Sequence, residues 1–127
     1  MKKAIVFTFF FLFSVLLLAQ SDVKITSKKC IPKKGFHLKL LRIFDDSRCS
    51  ENVTCVWAGE VSAVVEVYNN KKLVEEKTIT FNSKNSEENT AWFSNYYQGK
   101  IKNVEVVPYP KEGIVVKAKK QYIKISF

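Results

Sequence analysis

Glycine and proline are scarce, four and three in 127 residues, which excludes collagen-like and linker-like sequence. Histidine occurs once, at His37, so the paired imidazoles of common hydrolytic and zinc signatures are missing. No G-x-S-x-G or H-E-x-x-H stretch is present. Acidic residues are few: 12 against 21 Lys+Arg, for a formal charge of +9. After residue 20 no apolar run approaches the roughly 20 residues that a spanning helix needs, so no transmembrane helix is expected in the mature chain. What is abundant is apolar and aromatic side chain, 46% and 13%. That is too much for a disordered chain, and the chain is too short for two substantial cores.

The one long apolar run lies at the N-terminus. Met1-Lys2-Lys3 is a short positive start, and residues 4–19 follow without a charge. About 16 residues are short for roughly 30 Å of hydrocarbon but suit the apolar region of a signal peptide. Ala19 closes the run and polar Gln20-Ser21-Asp22 follows. Residues 1–20 therefore read as a signal peptide cleaved after Ala19 or Gln20, and residues 21–127 as a single β domain. Leu17 departs from the small-x-small rule, and an uncleaved anchor is the rival reading. Cys30 lies too far downstream to be a lipid-modified cysteine. The expected location is exported, periplasmic or extracellular.

Loss of Lys2 and Lys3 takes the charge from +9 to +7. The remaining positives are Lys except for Arg42 and Arg48, and they are dispersed: Lys28-Lys29, Lys33-Lys34, Lys71-Lys72, Lys119-Lys120. Nothing among them matches a nucleic-acid motif. A solvated lysine surface is the plainest reading; the partner classes left are an unknown protein or an anionic envelope polymer, not nucleic acid.

Export would let disulfides persist. Cys49 and Cys55 enclose the polar stretch Ser50-Glu51-Asn52-Val53-Thr54, and closing a loop that short is worth roughly 2–2.5 kcal/mol in the chain-entropy model. The spacing favours Cys49–Cys55 with Cys30 left over; a bridge from Cys30 to either is the alternative. Three cysteines and one histidine at these spacings lack the paired hooks of a zinc site, and no metal or cofactor is expected. Asn52-Val53-Thr54 is formally a glycosylation sequon.

The rest alternates with period two. Phe36, Leu38 and Leu40 share a face, and Leu41 and Ile43 then take the apolar phase, which a β-bulge near Leu40-Leu41 explains. Residues 56–67 form the strongest candidate strand, with Val61, Ala63, Val65 and Val67 on one face and Ser62 and Glu66 opposite. Asn69-Asn70 suits a tight hairpin turn, and residues 73–81 would return, burying Ile79 and Phe81. Residues 101–109 and 122–127 add two strands, the last aligning Ile123, Ile125 and Phe127. Residues 23–25 and 114–116 are shorter candidates, and Pro108 and Pro110 confine their strand to an edge or its end. No stretch carries a helical apolar stripe with caps. The fold class expected is all-β, an antiparallel β-sandwich or small barrel of about seven strands.

Asp46-Ser47-Arg48-Cys49 and Cys55-Val56-Trp57-Ala58-Gly59-Glu60 resemble the D-S-R-C-P…C-x-W-A-G core of small exported bacterial all-β proteins and lipoproteins. Val107-Pro108-Tyr109-Pro110 and the closing strand are similar too, whereas Ser50 stands where that pattern has Pro. The resemblance implies export and an all-β domain, and it brings no activity with it.

Candidate functional residues each have a structural counterpart reading. Asp46 or Ser47 can hold the turn while Arg48 pairs with a carboxylate; the alternative is recognition of an anionic or metal ligand. Trp57 is expected to pack on the disulfide, and Gly59 to permit a bulge or close backbone approach. Residues 82–100 read as the longest irregular segment. Its Trp92, Phe93, Tyr96 and Tyr97 either pin it to the sheets or present a surface for a sugar or protein. His37 has no evident acid or nucleophile beside it. The expected function is non-enzymatic: a secreted or envelope-associated binding or structural module. The alternative is an inhibitor of a secreted enzyme acting through the Cys49–Cys55 loop, because a constrained loop loses little entropy on binding.

Overall fold

A computed structural model describes residues 22–127 apart from Lys29, Asn52 and Val115. The expected signal peptide, residues 1–20, lies outside the described residues. Strands dominate: β1 (Val23–Ile25), β2 (Phe36–Phe44), β3 (Val61–Asn69), β4 (Lys72–Phe81), β5 (Asn103–Val107) and β6 (Tyr122–Ser126), with one helix, α1 (Ser86–Ser94). They form two antiparallel three-stranded sheets, ordered β2-β3-β4 and β1-β6-β5.

The first sheet is a meander built on local signals. Asn70 and Lys71 both take positive φ (50° and 68°) in the two-residue β3–β4 turn, the backbone that tight hairpins require. Asn70 also accepts from the Gly35 N–H through Oδ1, at 2.9 Å. The register between β2 and β3 shifts between Leu40 and Arg42, so Leu41 is the expected bulge residue. The second sheet joins the two ends of the domain, with Val23 opposite Ile125 and Val106 opposite Ile123. The Leu40 N–H donates to the Thr26 carbonyl at 3.2 Å and ties one sheet to the other.

Both sheets and the helix contribute to one buried cluster: Ile25, Leu38, Leu40, Val61, Ala63, Val65, Val67, Ile79, Phe93, Ile101, Val106, Ile123 and Ile125. Each fully buried Val, Leu, Ile or Phe in such a cluster stabilises by roughly 1.5–3 kcal/mol. Phe81 and Phe127, expected in the core, are half-buried at its margin. Ser62, on the face opposite the valine row, is buried too and shares a 3.2 Å hydroxyl contact with Thr80.

Four further expectations change. Among the described residues there are six strands, not seven. Ile114 makes only an isolated bridge to Lys111 and is exposed, and its neighbour Val115 lies outside the described residues. The strand expected from Val56 begins at Val61, because Gly59 takes φ +72° where its backbone meets another segment. Residues 82–100 are not irregular throughout, since they contain α1. That helix is nine residues long and its Asn85 N-cap makes no side-chain capping bond, so caps and stripe were both absent from the sequence. Tertiary contacts hold it: Phe93 is wholly buried, and Asn89 donates through Nδ2 to the Thr80 carbonyl at 2.9 Å.

Candidate functional site

Between β2 and β3 the chain makes an excursion, residues 45–60, that doubles back on itself. Its two arms pair through the backbone: the Ser47 N–H donates to the Glu60 carbonyl at 2.8 Å, and the Cys49 N–H to the Ala58 carbonyl at 2.9 Å. Gly59 is required there. A Cβ at that position would sit 2.0 Å from the Ser47 carbonyl oxygen, so any side chain would force the arms apart. Ser47 adds a reciprocal contact, its hydroxyl lying 3.1 Å from the Glu60 carbonyl and 3.2 Å from the Glu60 N–H.

Arg48 fastens these arms to the second sheet. Its Nε and Nη2 donate to Asp46 Oδ1 and Oδ2 at 2.9 and 2.8 Å. The same guanidinium donates to the carbonyls of Val106 and Pro108 and stacks 4.4 Å from the centre of the Tyr109 ring. Gln121 donates to Asp46 Oδ2 at 3.1 Å. The Arg48 side chain is only 6% exposed. Burial pushes the Asp46 carboxyl up, but the hydrogen bonds and charge of Arg48, with the Gln121 amide, outweigh it and hold the group below its ordinary range. Asp46 and Arg48 thus have the expected turn-and-pairing geometry, and they spend their polar groups on the protein itself.

Beyond this anchor the excursion ends in the Cys49–Cys55 disulfide, Cα–Cα 5.9 Å; Cys30 is a free, exposed thiol. The closed loop rests on residues 108–111, where the Glu51 N–H donates to the Pro110 carbonyl at 3.0 Å and Lys111 lies 3.7 Å from the Glu51 carboxylate. Its outer side is bare. Val53, Val56 and Trp57 are exposed, Trp57 by 70%. The expectation that Trp57 packs on the disulfide is therefore corrected: backbone pairing, the Ser47 hydroxyl and the disulfide hold the arm without the indole, which stands at the rim of a cleft.

Two adjoining clefts open beside the arm. The larger, about 250 Å³, is walled by Arg48, Ala58 and Gly59 on one side, by Phe81, Asn82, Ser86 and Asn89 on another, and by β5 on the third. The smaller, about 190 Å³, runs from Ala58, Gly59, Asn82 and Ser83 out to Trp57 and Lys84. Asn82 shapes the shared wall: it donates to Glu60 Oε2 at 3.1 Å and accepts the Lys84 and Asn85 N–H groups at 2.9 Å. These lining residues come from four separate segments, and no sequence pattern links them.

The aromatic candidates lie elsewhere. Phe93 is core; Trp92 stacks edge-on against Phe93 and Tyr96 at 4.9 and 5.1 Å, and Tyr96 meets Phe36 at 5.5 Å. Lys77 covers the Trp92 ring, and the Tyr96 hydroxyl donates to Glu75 at 3.1 Å. Burial raises the Tyr97 hydroxyl to about 12. These contacts pin the segment to β2 and β4. Ser86 and Asn89 line the larger cleft from the start of α1, but Trp92, Tyr96 and Tyr97 line neither cleft and are not brought into one site with Trp57. Among the described residues no group of three His, Cys, Asp or Glu is arranged to hold a metal ion, and no helix is long and apolar enough to cross a membrane. No family model, curated protein or solved structure matches the chain.

Proposed function

We propose that the chain is an exported, non-catalytic binding module whose contact surface is the disulfide-closed loop together with Val56 and Trp57. The observation that carries this reading is the contrast within the excursion: at its base the Arg48 side chain is buried and bonded to Asp46, Val106 and Pro108, while its tip presents an exposed indole and two exposed valines. A large aromatic held in place before binding loses little entropy on contact and makes an effective anchor. The charges near Trp57, Glu60 against Lys84, cancel, which favours a protein partner over an anionic envelope polymer.

The Lys2-Lys3 start, the apolar residues 4–19 and the disulfide support export, as does the resemblance of residues 46–59 to exported bacterial proteins. In this reading the two sheets pack as a small sandwich around the common cluster. A second role is favoured by the loop's own exposure: inhibition of a secreted enzyme whose active site receives residues 50–54.

The test is capture from envelope extract by the wild-type protein beside a Val56→Ser, Trp57→Ala variant. The partners should be lost while the melting temperature is unchanged, because surface substitutions of this kind move stability by about 0.5 kcal/mol or less. Equal capture by both proteins overturns the reading. Inhibition of a secreted hydrolase by the wild type, lost in Cys49→Ser where the loop is no longer closed, selects the inhibitor role.

A further inference from the structure

One wall of the larger cleft is main chain. β5 ends its sheet, paired with β6 on one side only, and along an antiparallel strand alternate residues turn both N–H and C=O to the same side. Arg48 donates to the carbonyls of Val106 and Pro108, which identifies residues 104, 106 and 108 as those facing away from β6. The guanidinium therefore stands where a neighbouring strand would otherwise end. The Val104 N–H and C=O and the Val106 N–H remain on the open edge, with no backbone partner among the described residues. Facing them across the cleft are Val61 and Phe81, with Asn82, Ser86 and Asn89 at one end.

We infer that this cleft receives a short extended segment of the partner protein, added as a strand to the free edge of β5. This deepens the reading of the chain as a protein-binding module and rests on it. A row of donor, acceptor and donor at strand spacing is matched by another polypeptide backbone. Phe81, half-buried at the margin of the core, offers the apolar contact for one side chain of that segment. The charges do not select an anion: Arg48, already paired with Asp46, and Glu105 line the larger cleft, and Glu60 and Lys84 the smaller. At about 250 Å³ it falls just below the roughly 300–1,000 Å³ of small-molecule pockets, so the strand added there is a short one. Its continuation runs along the smaller cleft, which shares Ala58, Gly59, Asn82 and Ser83 with the larger. That track leads out to Trp57.

The experiment uses the disulfide-intact protein, labelled with nitrogen-15, and a displayed library of random seven-residue linear peptides. An enriched peptide, synthesised and titrated, should shift the amide resonances of Val104 and Val106 and slow their hydrogen exchange. Methylating the one peptide nitrogen that donates to the Val104 carbonyl should weaken binding about tenfold, and methylating the nitrogens on either side of it should have little effect. Enriched peptides that leave Val104 and Val106 unmoved overturn the inference. So does a library without binders when a panel of neutral oligosaccharides shifts the same amides. A peptide that binds at β5, in a protein whose Val56→Ser, Trp57→Ala variant still captures all envelope partners, upholds the slot and overturns only the loop's role.

Discussion

The β2-β3-β4 sheet and the excursion at residues 45–60 leave and rejoin the same stretch of chain, yet different forces hold them. The sheet has continuous ladders and a wholly buried row at Val61, Ala63, Val65 and Val67. The excursion buries almost no apolar side chain; Val53, Val56 and Trp57 all face out. Two backbone pairings and the Ser47 hydroxyl between its arms, one disulfide, the Glu51 bond to Pro110 and the Arg48 guanidinium hold it. Burial spreads stability over many side chains, whereas polar tethering concentrates it in one. The excursion should therefore be releasable while the sheets stay folded.

The largest expected effect lies on the sheet side. Val65→Asp places an unpaired charge in the centre of the core and should cost on the order of 4 kcal/mol or more, abolishing the cooperative thermal transition. A melt like wild type would mean the β3 register is wrong. On the excursion side the largest effect belongs to Arg48→Met, which leaves Asp46 and two main-chain carbonyls without their donor. About 3 kcal/mol is expected from denaturant midpoints, with the sheet ladders intact by nuclear magnetic resonance.

Cys49→Ser should cost about 2 kcal/mol through the freed loop, while Cys30→Ser should change stability by less than about 0.5 kcal/mol. Peptide mapping of the unreduced protein should return a Cys49–Cys55 fragment. The pH dependence separates the regions further. Asp46 has a depressed folded value, so its contribution is complete above the unfolded carboxylate value of about 3.9. It is lost as pH falls through the lower folded value. Asp46→Asn should flatten that acid limb. The smallest effect concerns Tyr97, raised to about 12 by burial: its stabilising share is complete below about 10 and lost as pH rises through about 12. Ultraviolet titration should show a last phenolate that Tyr97→Phe removes.

The two regions also differ in how far they could be read from sequence. Alternation identified β2, most of β3, the Leu40-Leu41 bulge and most of the core, because burial on a sheet leaves a period-two trace; the turn expected at Asn69-Asn70 lies one residue on, at Asn70 and Lys71. The Cys49–Cys55 pairing followed from spacing, and so did a carboxylate partner for Arg48, though not which carboxylate. What escaped was tertiary in origin. Helix α1 is held by Phe93 and the Asn89 amide, neither of which marks a helix locally. Trp57 was expected inside because aromatics beside disulfides commonly pack on them; nothing in the sequence shows that Gly59 turns the arm so that the indole faces out. The edge of β5 depends on sheet order, and its cleft on four distant segments.

Native-state hydrogen exchange tests the central contrast most directly. The Ser47 and Cys49 amides, bonded to Glu60 and Ala58, report on the excursion, and the β3 amides report on the sheet. Arg48→Met, or acidification below the folded Asp46 value, should strip protection from Ser47 and Cys49 while the β3 amides still exchange only by global unfolding. If both sets lost protection together and by the same free energy, the excursion would be part of the same cooperative unit, and the account of a separately tethered binding platform would be contradicted.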